Sequence, residues 1–278
     1  MDALQESPWS GYDARFFARF AEVEETHFWF ASRRRIVAPL LAQAVAGLPP
    51  GAPVLEIGCG TGGMLGLLAE ICGPERVVGL DLFLEGLALA RARHPVHLVQ
   101  GDLQRSPFRP AGLLCMFDVL EHLTADEEVL RDLHGLLAPG GRLLLTVPAW
   151  PALWSYYDVA QCHRRRYRPR DLAAKLAAAG FVVEYLTPIL SGMLPLLLLD
   201  RFVAPLAARL GRARSRPGAE KALADLLPPP APINALLTHL LAWERPLVAR
   251  RLRVPAGTSL LALAQRAPVA VESAPPFP

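Results

Sequence analysis

An α/β fold with a doubly wound parallel sheet is what this sequence predicts, and three observations predict it. Between residues 53 and 187 short β-rich runs alternate with helix-length segments, the pattern of βαβ units. A glycine-rich turn joins the first strand to the first helix of that region, and acidic residues stand at the ends of four successive strands. The chain of 278 residues is 52% hydrophobic, which suits a substantial core and excludes a chain disordered throughout.

Taken in order, residues 12–46 read as one or two helices carrying an aromatic cluster: Phe16, Phe17, Phe20, His27, Phe28, Trp29 and Phe30. Strands are expected at 53–57 (PVLEI), 76–80 (RVVGL), 96–100 (VHLVQ), 113–117 (LLCMF), 142–147 (RLLLTV) and 181–186 (FVVEYL). Helical patterns fill 62–71, 84–93, 125–137 and 169–179. The APGGR turn at 138–142 is expected to stop the third of these, because Gly140 and Gly141 accept the positive φ of a C-cap. A proline-rich segment, 188–254, separates this core from a last strand-like run, GTSLLALAQR (257–266), and a disordered tail, 268–278.

Net charge is +3, and all but Lys175 and Lys221 of the 29 basic residues are arginine. Cys59, Cys72, Cys115 and Cys162 are scattered without a C-x-x-C pair, so free thiols are expected rather than disulfides or a zinc ribbon. The longest uncharged stretches, 185–199 and 226–243, are shorter than the ~20 apolar residues a membrane span needs or are broken by prolines. The N-terminal sequence lacks the basic start and apolar run of a secretory signal, and a cytoplasmic chain is expected.

The segment VLEIGCGTGG (54–63) reads as strand, glycine turn, helix. Glycines at Gly58, Gly60 and Gly62 let the backbone turn sharply and approach a ligand, while the helix N-terminus offers free N–H groups. With Gly63 the loop also spells the G-x-G-x-x-G of dinucleotide sites, so the loop alone leaves two readings. Glu56 discriminates: a carboxylate there welcomes amino or amide donors and repels a pyrophosphate. Asp81, at the end of the second strand, can accept from ribose hydroxyls in either case. Asp102, after the third, can accept from an adenine amino group, and Asp118 opens the loop after the fourth. Each could be a solvated turn residue, but four in register occupy the crevice of an open α/β sheet.

The motifs LEIGCGTG, LDLF, GDLQRSPF, FDVLEHL and LAPGGRLLLTVP resemble the class I S-adenosylmethionine-dependent methyltransferases over about residues 30–187. The resemblance implies S-adenosyl-L-methionine as cofactor, with Gly58, Gly60 and Gly62 around its methionine part, Asp81 on the ribose, and Asp102 with Leu103 framing the adenine. Glu56, Cys59, Leu82 and Asp118 complete the implied cofactor site. It also implies a Rossmann-like, seven-stranded, mostly parallel sheet whose last strand, 255–267, is antiparallel. Residues 1–46 then form a helical lid, 47–187 the core, and 188–254 a helical insertion before the last strand.

A methyl donor carries its own activation, so the acceptor side needs alignment and, for hydroxyl or carbon acids, a base. In Asp118-Val-Leu-Glu121-His122 a helical turn would put three polar groups on one face. His122 there is a general base, part of a divalent-metal site resembling the Glu-x-x-Glu-His of quinone-pathway O-methyltransferases, or simply a helix start; no metal is assigned. The long loop 148–172 offers Asp158 and His163 as acid or base, with Trp154, Tyr157, Arg165, Arg166 and Tyr167 as acceptor contacts. The bland reading makes its arginines a solvated face and Tyr167 a core residue. Its LWSxxDxxxxHxRRY pattern resembles a bacterial subgroup of the family. Trp29, in the HFWF cluster, either covers the site or packs on the sheet.

Residues 185–254 carry a net +6 against −3 for the rest, and Ile233, Leu236, Leu237, Leu240 and Leu241 mark one helical face. That combination suggests contact with an anionic membrane surface, or alternatively a cover for the acceptor site or a dimer interface. Either suits a small-molecule or lipidic acceptor. Two rivals stand beside a methyltransferase acting on oxygen or carbon: a noncatalytic cofactor-binding protein, and an NAD-linked oxidoreductase, which Glu56 and Asp102 disfavour. No N-P-P-Y-type motif follows the fourth strand, and nucleic acid is not expected as a partner.

Overall fold

The structure, a computed structural model, describes residues 15–103, 110–195, 197–199 and 218–267. One sheet holds β1 (Val54–Ile57), β2 (Val77–Asp81), β3 (His97–Gln100), β4 (Ala111–Phe117), β5 (Leu137–Pro148), β6 (Phe181–Ile189) and β7 (Ser259–Arg266). Their order across it is β3-β2-β1-β4-β5-β7-β6. β1 to β5 run parallel, and β7 lies antiparallel between β5 and β6. The strand order reverses between β1 and β4, and the crevice of an open sheet lies outside the strand ends at such a point. All six expected strands and the antiparallel seventh are present.

The helices are α1 (Arg15–Val23), α2 (Phe28–Ala46), α3 (Leu65–Cys72), α4 (Leu84–Arg93), α5 (Asp126–Leu136), α6 (Tyr156–Ala160), α7 (Pro169–Ala178), α8 (Gly218–Asp225), α9 (Ala231–Leu241) and α10 (Arg245–Ala249). Side chains alternate across β4 with the strand period of two: Leu113 and Cys115 meet Leu40 and Leu65 on one face. Leu114 and Met116 meet Leu130 and Leu172 on the other. Cover on both faces explains why β4 is apolar at every position.

One turn departs from expectation. The helix α5 ends at Leu136, and its C-cap, Leu137, is already extended, with φ −81° and ψ 142°. Residues 138–141 belong to the long strand β5, where Ala111 pairs with Leu137. Pairing with β4, rather than a glycine cap, stops the helix, and Gly140 supplies a positive φ within the strand's irregular start.

The segment after β6 is fastened to α2. Asn234 on α9 accepts from the Phe28 N–H at 2.9 Å and donates to the Thr26 carbonyl at 2.8 Å. Gln43 donates to the Ala249 carbonyl at 2.7 Å, and buried Glu244 accepts from the Leu190 N–H at 2.7 Å. Among the described residues no helix is long and apolar enough to cross a membrane. The four cysteines are free. The expected tail 268–278 and the arginine-rich stretch 201–216 lie outside the described residues, as do 1–14 of the expected N-terminal lid.

Candidate active site

The glycine turn is held by the strand beside it. The N–H groups of Gly58 and Cys59 both donate to the Leu80 carbonyl, at 2.8 and 3.1 Å. Asp81 completes the hold, accepting from the Gly60 N–H at 2.7 Å and from the Phe83 N–H at 2.9 Å. Gly58 has φ 70°, and a Cβ there would run into the Val119 side chain. A chamber of about 1220 Å³ opens above this turn. Every expected cofactor residue except Gly62 lines it: Glu56, Gly58, Cys59, Gly60, Asp81, Leu82, Asp102, Leu103 and Asp118. Gly62 has φ 92° and is absent from the lining; a Cβ there would meet His94 and Ala90. The sulfur of Cys59 lies against Gly79.

At this end the field is acidic. Glu56 is buried, its Oε2 has no partner, and burial outweighs nearby Arg33 to push the carboxyl well above its usual range. An orphaned buried carboxylate beside bare glycine backbone fits a ligand carrying an amino group. Arg33, from α2, is ion-paired with Asp118 and stacks over the Trp29 ring at 4.8 Å. Glu24, at the end of α1, accepts from the Thr61 hydroxyl at 2.9 Å and pairs with Arg93, which ties the N-terminal helices to the glycine turn.

The other end of the chamber is built by the loop after β5. His163 lines it, and its Nδ1 lies 2.9 Å from Asp158 Oδ1. Asp158 itself is fully buried and absent from the lining. Its oxygens also accept from Arg166 at 2.7 and 3.0 Å and from the Ser155 N–H at 2.7 Å, capping α6. Burial alone would raise its carboxyl, but the hydrogen bonds from His163 and Arg166 outweigh that and hold it well below the carboxylate range. The expectation that Asp158 acts as acid or base on an acceptor is corrected: it orients His163. His122 lines the chamber edge-on to His163, centroids 4.8 Å apart, and burial lowers its pKa to about 3. Glu121, beside it, is fully buried on the chamber wall, and burial with Asp118 nearby pushes its carboxyl well up.

Among the expected acceptor contacts, Trp29, Tyr157 and Arg166 line the chamber and Trp154, Arg165 and Tyr167 do not. Tyr167 sits in the core, donating to Asp126 at 2.9 Å. Arg165 pairs with the same Asp126 at 2.8 Å, and Trp154 lies part-exposed outside. The alternation of in and out along this loop follows its bridge to the sheet, where Ala149 pairs with Tyr167. Sequence reasoning missed Glu24, Arg33 and the wall after β6: Met193, Leu197, Lys221, Asp225 and Leu226. For Arg33 the only signal is the arginine run 33–35 one helical turn after Trp29, which does not say which arginine points inward.

Strand order, glycine turn and acid set together define a class I methyltransferase fold around a nucleoside-type cofactor site. The methyltransferase domain family matches residues 29–186, and the chain belongs to it. A Mycolicibacterium smegmatis protein named as an S-adenosylmethionine-dependent methyltransferase is 33% identical over 165 residues, 58% of this chain and 62% of that protein. A fatty-acid O-methyltransferase of the same organism is 36% identical over 155 residues, 50% of this chain and 57% of the relative. Haemonchus contortus phosphoethanolamine N-methyltransferase 2, solved with S-adenosylhomocysteine, shares the fold with a TM-score of 0.53 at 17% identity, covering 83% of this chain and 52% of that one. The chain spans about half to three fifths of the length of the curated relatives it matches. S-adenosylmethionine is the cofactor of the family, and the orphaned Glu56 and the bare glycine turn fit it.

Proposed function

We propose that the chain is an S-adenosylmethionine-dependent methyltransferase acting on an oxygen or carbon acid carried by a long apolar molecule. The observation that carries this reading is one continuous chamber joining the glycine turn to an aromatic and aliphatic wall. Its volume, about 1220 Å³, exceeds the ~300–1,000 Å³ typical of a single small-molecule site, which leaves room for cofactor and acceptor together. Glu56 and Asp118 would hold the amino group of the cofactor, Arg33 its carboxylate, and Asp81 and Asp102 the ribose and adenine. When bound, the cofactor supplies an electrophilic methyl group. Phe20, Phe28, Trp29, Tyr157, Met193 and Leu226 would hold the apolar part of the acceptor and exclude water. His163, kept in one orientation by Asp158, would take the acceptor's proton through its other nitrogen.

The N-terminal helices act in this reading as a lid over the cofactor and the insertion as a roof over the acceptor. The name of the fatty-acid O-methyltransferase among the relatives supports an acceptor with a chain. The test is formation of S-adenosylhomocysteine with a panel of long-chain fatty acids and prenylated phenols against short polar alcohols and amines. Turnover confined to the long apolar acceptors is expected. Turnover only of the polar set overturns the reading.

A second observation favours peripheral contact with an anionic membrane. Ile233, Leu236, Leu240 and Trp243 form an outward stripe on α9 and the turn after it, each about half exposed or more. In residues 226–254 the exposed charged side chains are Arg245, Arg250, Arg251 and Arg253, while the acid Glu244 is buried. An apolar stripe beside exposed basic charge, of which Arg251 is paired with Glu184 at 3.6 Å, suits a bilayer of anionic lipid, from which a lipidic acceptor could enter beneath the same segment. We place the protein in the cytoplasm, at that surface.

A further inference from the structure

Glu121 is the unanswered charge of the acceptor chamber. Its side chain is fully buried on the wall, and neither carboxylate oxygen has a hydrogen-bond partner. Apart from Glu56 at the cofactor end, the other buried carboxylates of the described residues are provided for: Glu24 by Thr61 and Arg93, Asp81 by the Gly60 and Phe83 N–H groups, Asp126 by Tyr167 and Lys175, Asp158 by His163 and Arg166, Glu244 by Ser191. The two guanidinium groups near Glu121 are already paired, Arg33 with Asp118 and Arg166 with Asp158. A buried carboxylate without a donor costs several kcal/mol unless it is protonated or meets a cation.

Two imidazoles stand beside it. His122 is the next residue on the same single-turn helix, Leu120–His122, and His163 arrives from the loop after β5. One donor atom from each of Glu121, His122 and His163 lies within 4.8 Å of the others, and His163 Nε2 is 3.9 Å from Glu121 Oε1. The two segments are fastened to each other, the Arg164 N–H donating to the Glu121 carbonyl and the Arg164 side chain to the His122 carbonyl, both at 2.9 Å. Asp118, the acid that sequence spacing would place in such a cluster, is instead turned to Arg33 and takes no part.

We infer that Glu121, His122 and His163 form a binding site for a divalent cation of the zinc and cobalt class, with an open coordination position facing the acceptor. Two imidazole nitrogens and one carboxylate oxygen are the donor set of borderline metals, whereas magnesium and calcium prefer all-oxygen sites. Three protein ligands with a fourth position open is the pattern of catalytic rather than structural zinc. Bonds of ~2.0–2.2 Å place tetrahedral ligand atoms about 3.4 Å apart, so the trio, whose atoms lie within 4.8 Å of one another, needs to close by up to about 1.4 Å through side-chain torsions. The outer shell is in place: Asp158 holds the far nitrogen of His163 and is itself clamped by Arg166, the arrangement that orients a metal-binding imidazole.

This inference rests on the reading of the chamber as the acceptor side of a methyltransferase, and it changes one role in it. With a cation bound, His163 is a ligand rather than a free base, and an acceptor oxygen would be held and polarised by the ion through one of its lone pairs.

The experiment is a titration of the metal-free full chain with cobalt(II) chloride, followed by visible absorption, with zinc competition and calorimetry of S-adenosylhomocysteine in parallel. One cobalt per chain with the absorption of a low-coordinate nitrogen and oxygen site is expected, displaced by zinc. Glu121→Gln and His163→Gln should each weaken cobalt binding at least 100-fold, and Asp158→Asn by ~10–100-fold, while homocysteine-cofactor affinity stays within threefold. No cobalt uptake above a nonspecific background, or unchanged uptake by both Glu121→Gln and His163→Gln, overturns the site. Methyl transfer is scored separately: uptake without transfer would count against the proposed activity alone, and transfer without uptake against the cation site alone.

Discussion

Asp158 and His163 are joined at 2.9 Å between Oδ1 and Nδ1, and because Asp158 is fully buried behind the ring, the bond can only steer the imidazole toward the chamber. Loss of the ring should therefore be a loss of chemistry rather than of cofactor binding. His163→Ala is expected to lower methyl transfer by ~10²–10⁴, with S-adenosylhomocysteine affinity by calorimetry within threefold. Equal loss of both would remove His163 from the acceptor side.

Asp158→Ala should behave differently from Asp158→Asn. The alanine leaves the buried Arg166 guanidinium with the Ala149 carbonyl but no carboxylate, a change that costs about 3–5 kcal/mol for a buried pair; the asparagine keeps the cap of α6 and part of the contact. Because the folded pKa of Asp158 lies below its unfolded value, this stabilisation is present above about pH 3.9 and disappears as pH falls through the folded pKa. Urea denaturation of the three proteins at neutral and acid pH measures both effects, and equal stability of Asp158→Ala and the parent would contradict them.

His27 caps α2 with its ring nitrogen, accepting from the Trp29 N–H at 3.2 Å, so it must be neutral to do so. Burial lowers its pKa to about 4. A histidine that binds its proton less well folded than unfolded stabilises the fold above about pH 6.5, and loses that contribution as pH falls toward 4. His27→Asn keeps a capping oxygen without a titration in that range, and its stability should be flatter between pH 6.5 and 4 than that of the parent. An unchanged slope would show that other groups govern it.

Gly58→Ala should remove cofactor binding and destabilise the fold together. Its φ of 70° disfavours any side chain by about 1 kcal/mol, and the added methyl would meet Val119. Gly58→Ala with Val119→Ala should recover stability in part but not the bare backbone facing the cofactor. Full recovery of S-adenosylhomocysteine binding in the double variant would show that the clash alone mattered.

Sedimentation with vesicles containing anionic lipid tests the outward stripe of α9. The parent chain is expected to bind and to be released by salt, and Leu236→Glu with Leu240→Glu to stay in solution with cofactor affinity intact. A stable dimer of the parent that the same double variant splits would assign the stripe to a second copy instead.

Much of this protein is written locally. Short, nearly continuous apolar runs gave away β1, β4 and β7, because a strand covered on both faces buries successive side chains rather than every second one. The glycines of the first turn and the acids Asp81, Asp102 and Asp118 were legible for the same reason: each lies at the end of a strand whose position the pattern already places. Contacts across the fold were not. Whether Arg33, Arg34 or Arg35 enters the chamber depends on how α2 crosses the sheet, and Tyr167 and Arg165 turned out to serve Asp126 because the loop bridges at Ala149 and Tyr167. The place of Gly62 outside the chamber lining was not legible, because a positive φ is needed equally for ligand approach and for helix contact. The joining of Glu121 to His163, 42 positions apart, and the wall of the chamber from a segment beyond β6, were decided only by tertiary packing, since burial and convergence depend on elements whose separation in the chain carries no period.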